Sequence, residues 1–122
     1  MTFSDVAMSK VLYYDEIVWY SRLGAMEIEF YDKSLALVLT DRAMETKLPM
    51  AAISSFRKKY KVILAAPDER TLRNWKSLHY EKLKGYADDR RSIRLNNQWR
   101  LVFTLSNGSE TKMRILAIED YH

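Results

Sequence analysis

Cysteine is absent from the chain, which excludes disulfides, thiolate metal sites and cysteine nucleophiles. Histidine is scarce: His79 and His122 are the only two, so a metal centre built on several imidazoles is not expected. Glycine and proline number three and two, and no linker, internal repeat or low-complexity tract is visible. Long apolar runs are missing as well. The stretch Leu35-Ala36-Leu37-Val38-Leu39 is five residues long, against the roughly 20 that a transmembrane helix needs. No basic stretch followed by an apolar core stands near Met1, so no secretory signal is read and a cytoplasmic protein is expected. What is present is the balance of a soluble globular domain, 122 residues with 48% hydrophobic and 30% charged side chains. That length suits one domain with a core that needs no staples.

Charge is uneven along the chain. Residues 1–55 carry 5 basic and 8 acidic side chains, a net of −3, whereas residues 56–122 carry 15 and 8, a net of +7. A basic half on an otherwise mixed protein points to a polyanion such as a nucleic acid, or to a solvated Lys/Arg surface with no partner.

Patterning gives the elements. Residues 3–23 read as a helix closed by Gly24, although their apolar positions form no single clean stripe. Met26, Ile28 and Phe30 alternate with Glu27, Glu29 and Tyr31, the period of a strand. Asp32 can cap a helix running to about Thr46, and Pro49 fits the first turn of another. In that second helix Ile53, Phe56, Tyr60, Ile63 and Leu64 share one face, giving a helical hairpin. Pro67 ends it, and Asp68 can cap a short piece through Trp75. Residues 76–91 read as a loop or irregular strand. Three strand candidates follow, 92–95, 99–105 and 112–118, joined by turns at Asn96-Asn97 and Ser106-Asn107-Gly108. Trp99, Phe103, Ile53, Phe56, Leu64 and Trp75 are the expected core. The sum is an α+β domain: an antiparallel sheet with a helical hairpin packed on one face, plus an extra N-terminal helix.

Several stretches, in this order, carry a resemblance: Arg73-Asn74-Trp75-Lys76-Ser77-Leu78-His79-Tyr80, Leu83-Lys84-Gly85, Ser92-Ile93-Arg94-Leu95, Gln98-Trp99-Arg100-Leu101-Val102-Phe103 and Asp120-Tyr121-His122. From Met26 to His122 the chain resembles a RelE/ParE-superfamily toxin, in the HigB-like branch of type II toxin–antitoxin modules. Residues 1–25 have no counterpart in it. They are either a genuine extension or translation from a start upstream of a natural Met26. The resemblance implies a RelE-like fold and a ribosome-dependent mRNA endoribonuclease that inhibits translation. It implies attack of a 2′-hydroxyl on the adjacent phosphate without metal or cofactor. It also implies a HigA-like helix-turn-helix antitoxin as partner, with operator DNA reached only through that antitoxin, and no membrane. The rivals are a ParE-like non-enzymatic inhibitor of DNA gyrase and an inactive RNA-binding domain of the same fold.

Such a cleavage needs a base, an acid and positive charge for the developing phosphorane. On the resemblance, His122 is the foremost catalytic candidate, since imidazole serves as acid or base near neutrality. Asp120 either orients His122 or is a solvated tail carboxylate, and Tyr121 either contacts RNA or packs the sheet end. Arg100 is expected to clamp the phosphate, the alternative being a surface ion pair. Lys84 is a further point charge, or a solvated loop lysine. The branch commonly places a functional His where this chain has Glu81; His79, two residues earlier, could stand in for it if the segment is extended. Arg94, and more peripherally Arg90, Arg91, Arg57, Lys58 and Lys59, are candidates for RNA and ribosome contacts.

Overall fold

The computed structural model describes residues 9–13, 16–22, 27–66, 68–107 and 111–120, with side chains described from Glu27 onward except at Asn107 and Thr111. Seven strands run in chain order: β1 (Ser9–Tyr13), β2 (Glu16–Arg22), β3 (Glu27–Phe30), β4 (Glu81–Lys82), β5 (Arg91–Arg94), β6 (Trp99–Asn107) and β7 (Thr111–Asp120). Two α-helices, α1 (Met50–Ala65) and α2 (Glu69–Asn74), lie between β3 and β4. The strands form one sheet in the order β1-β2-β3-β7-β6-β5-β4. Only the central β3–β7 pair is parallel; the other neighbours are antiparallel. The expected α+β fold is therefore present.

Alternation explains the layering. Ile28 and Phe30 of β3, Ile93 of β5, and Leu101 and Phe103 of β6 point to one face and are buried with Ile53, Phe56, Tyr60, Ile63 and Leu64 of α1. Phe56 sits in the middle, its ring centroid 6.1 Å from Phe30 and 5.5 Å from Tyr60. Pro49 precedes α1 as its N-cap, one position outside the first turn expected for it, and its carbonyl accepts from Ala52 and Ile53. It stops at Ala65, because the residue before Pro67 is driven out of the helical region; Ala66 is extended at φ −74°, ψ 129°. Asp68 caps α2 as expected, its carboxylate accepting from Thr71 N–H at 3.0 Å.

Three expectations need correction. Within the helix foreseen over 3–23, residues 9–13 and 16–22 form an antiparallel hairpin that adds to β3. Val11, Tyr13, Ile17, Val18, Trp19 and Tyr20 are β-branched or aromatic, residue types that favour pleated strands. The first arm of the helical hairpin is two 3-10 turns, Leu35–Leu39 and Ala43–Thr46, rather than an α-helix. Thr40 breaks it. Its hydroxyl donates to Leu37 O at 2.8 Å and accepts from Arg42 N–H at 3.0 Å, so a side chain takes the bonds a helix would use. Trp75 is 44% exposed, not core: α2 ends one residue earlier, so Trp75 leaves the face on which Leu72 is buried.

Burial pushes the Tyr60 and Tyr80 phenols well above the usual tyrosine range, and for Tyr80 the hydrogen bond to Glu69 adds to it. The folded state thus resists ionisation that the unfolded chain undergoes at about pH 10. This contribution to stability is complete below about pH 10 and is lost as pH rises beyond it. Urea midpoints between about pH 8 and pH 11 should fall at the alkaline end, and less so in Tyr60→Phe; a flat profile would contradict this.

Candidate active site

The face of the sheet turned away from α1 carries the charged side chains. Its geometry starts from the β5–β6 turn. Asn96 Oδ1 accepts from the N–H groups of Gln98 and Trp99, each at 2.8 Å, and Leu95 N–H donates to Trp99 O at 2.8 Å. Asn96 Nδ2 in turn donates to Ser55 Oγ of α1 at 2.8 Å. This closure sets Arg94 directly opposite Arg100. Two like charges facing each other across a ladder repel, so this spot favours carboxylates or another anion. Glu81 of β4 and Glu119 of β7 take that place, each with an oxygen 3.7 Å from an Arg100 terminal nitrogen. Both separations are longer than a hydrogen bond. The Arg100 side chain is 24% exposed, and the Nε atoms of Arg94 and Arg100 are shut off from solvent. Ser92 and Val102, next on the same face, are also buried.

Glu119 was not foreseen, and a bulge brings it here. Val102 pairs with Ala117 but Phe103 with Ile115, which leaves Leu116 as an extra residue on β7. The side-chain parity of β7 reverses there. Met113 and Ile115 face the core before it and Ile118 after it. Glu119 thereby joins Arg100 on the open face, while Asp120 pairs with Trp99 and shares its side of the sheet. Asp120 accepts from Gln98 Nε2 at 3.1 Å. Tyr121 and His122 lie outside the described residues; the last described residue, Asp120, is one position beyond the Arg100–Glu119 pair.

The other candidates spread out. His79 closes a 3-10 turn in the left-handed region, φ 47° and ψ 52°. The segment is not extended there, so alternation does not put His79 on the side of Glu81. Lys84 is exposed. It follows Leu83, whose N–H donates to Arg90 O, and so lies at the opposite end of β5 from Arg94. Gly85 has φ +89° and a Cβ there would meet nothing within 4 Å. The backbone angle alone demands glycine, so Gly85→Ala should cost about 1–2 kcal/mol in urea denaturation.

Arg91 is engaged inside the molecule, with Nη2 2.8 Å from Asp89 and Nη1 3.6 Å from Glu69. Glu69 also accepts from the Tyr80 hydroxyl at 2.6 Å, which ties the segment bearing Glu81 to α2 and β5. Arg57 donates to Val38 O at 2.9 Å and to Thr40 O at 2.8 Å, holding α1 to the 3-10 segment. Lys58 and Lys59 are on α1, the layer opposite Arg100. Arg90 is paired with Asp88 at 2.8 Å. Among the described residues no group of three His, Asp or Glu side chains could hold a metal ion, and no helix is long and apolar enough to cross a membrane.

Comparison with known families bears on this face. The family model described as the RelE-like toxin of type II toxin–antitoxin system HigB matches residues 28–122. The chain belongs to this HigB-like toxin family. A search of the curated proteins gives no match. The matched span of the HigB-like toxin takes in every strand from the core of β3 to β7, both helices and the whole Arg94–Arg100 face, and leaves β1 and β2 outside. A type II toxin has a protein antitoxin as its partner.

Proposed function

We propose that this HigB-like toxin is a ribosome-dependent mRNA endoribonuclease that works in the cytoplasm and inhibits translation. The observation that carries the reading is the opposed pair Arg94 and Arg100, flanked by Glu81 and Glu119 beside the end of β7. Two guanidinium groups fixed on one sheet face suit a phosphodiester passing through a doubly charged, phosphorane-like state. In the step, an RNA 2′-oxygen attacks the adjacent phosphorus and the P–O5′ bond breaks. One proton leaves the 2′-hydroxyl and one reaches the 5′-oxygen, giving a 2′,3′-cyclic phosphate and a 5′-hydroxyl. Arg100 stabilises the charge that builds on the non-bridging oxygens. His122, carried just past Asp120, moves a proton, with Glu81 as the alternative base in place of the branch's usual histidine. Tyr121 contacts the RNA, and Lys84, Arg94, Lys58 and Lys59 contribute docking charge. A HigA-like helix-turn-helix antitoxin neutralises the toxin and carries it to operator DNA.

New mRNA 5′ ends, mapped after brief induction beside His122→Ala, test this. Cuts inside translated codons that vanish in the variant support the enzyme and the role of His122. Cuts that persist in the variant keep the enzyme and move the burden to Lys84, Arg100, Glu81 or His79. Growth arrest without any cuts would sink the enzymatic reading and favour a gyrase inhibitor.

A further inference from the structure

The same open face carries a second feature. A cleft of about 500 Å³ runs between Tyr31, Arg114, Thr104, Arg90, Asp88 and Asp89. Tyr31 stands at its rim with 70% of its surface exposed, although its backbone is fixed by an N–H bond to Ile115 O at 2.9 Å. The Arg114 guanidinium lies 5.9 Å from the Tyr31 ring centroid, and across the cleft Arg90 lies 4.4 Å from the ring of Tyr86, itself half exposed. The groove is therefore lined by one complete guanidinium–aromatic pair, Arg114 with Tyr31, and by the guanidinium of a second, Arg90. A large aromatic held out into water over an anchored backbone loses hydrophobic burial and makes sense as a stacking surface.

Charge decides what the groove can hold. Arg114 is bonded to Glu29 at 2.8 Å and Arg90 to Asp88 at 2.8 Å, while Asp89 faces both Arg91 and Lys82. Both guanidinium groups are thus hydrogen-bonded to a carboxylate at 2.8 Å, whereas the carboxylates around Arg100 stay 3.7 Å away, so the groove's cations are already engaged and do not favour a phosphate. It offers an aromatic face and hydrogen-bonding edges, which suit a flat, uncharged, polar group.

We infer that this cleft is a subsite for an unstacked nucleobase of single-stranded RNA, with Tyr31 as its stacking platform. The inference rests on the proposed RNA cleavage and extends it. Thr104 is four residues along β6 from Arg100, roughly 13 Å by strand rise. The base is therefore that of a flanking nucleotide, not of the nucleotide being cut. It is held by stacking on Tyr31 and by hydrogen bonds along its edge.

The test uses purified ribosomes carrying messages in which one nucleotide at a time near the cut is made abasic. Intact toxin should lose about tenfold in cleavage rate at one flanking position. Tyr31→Ala should lose about as much on the ordinary message and nothing further on that abasic message, while Tyr31→Phe keeps the wild-type rate. Unchanged cleavage by Tyr31→Ala, or penalties that multiply when variant and abasic message are combined, would overturn the subsite and leave the nuclease standing. Absence of cleavage by the intact toxin on every message would bring down both readings.

Discussion

Arg100→Ala is expected to slow cleavage of ribosome-bound mRNA by about a thousandfold while leaving the fold unchanged. The rate effect follows from position: Arg100 is the residue on which Glu81 and Glu119 both converge, beside the departing end of β7. The fold should survive because the Arg100 side chain is on the face away from the core, and removing it relieves its opposition to Arg94. Arg100→Lys should recover part of the rate, since the charge remains but the planar fork is lost. Single-turnover cleavage on programmed ribosomes reads the rate, and far-UV circular dichroism checks the fold. Activity within tenfold of wild type in a folded Arg100→Ala protein would remove the phosphate clamp from the mechanism.

Phe56→Ala should produce the largest loss of stability, about 3–5 kcal/mol. Phe56 is fully buried between Phe30 of β3 and Tyr60 of its own helix. Its removal deletes a central contact between α1 and the sheet. Against a total of about 5–15 kcal/mol for an ordinary domain, the variant would be close to unfolding. Trp75→Ala is the control. It deletes a larger aromatic, but one 44% exposed, and should cost no more than about 1 kcal/mol. Urea denaturation of the three proteins gives both numbers, and equal losses would overturn the assignment of Phe56 to the core and Trp75 to the surface.

The contrast between Phe56 and Trp75 marks how far the sequence can be read. Spacing put Phe56 on a repeated apolar face of a long helix, where several residues agree. Trp75 had Leu72 as its sole companion, and one residue's difference in where α2 stops turned it to solvent. The N-terminal hairpin was missed for a related reason: its partner is β3, and nothing local to residues 9–22 names that partner.

The active face shows the division most clearly. The resemblance to HigB-like toxins was enough to mark Arg94, Arg100 and Glu81, and the apolar alternation of β5 and β6 placed both arginines away from the core. A two-residue Asn96-Asn97 turn, however, would set Arg94 against Trp99. The observed loop of Asn96, Asn97 and Gln98 sets it against Arg100. Glu119 depended on the bulge at Leu116, without which continued alternation from Met113 and Ile115 would turn it into the core.

By itself the sequence determined the α+β class, the main helix, the four strands from β3 and β5 to β7, and the basic residues that the open face carries. These follow from periods of 2 and 3.6, which each segment displays alone. Only the tertiary structure decided the ladder register, the bulge and the pairing of the N-terminal hairpin, and with them which charges meet. Register depends on where distant strands find one another, and a shift of one residue exchanges the two faces of a strand.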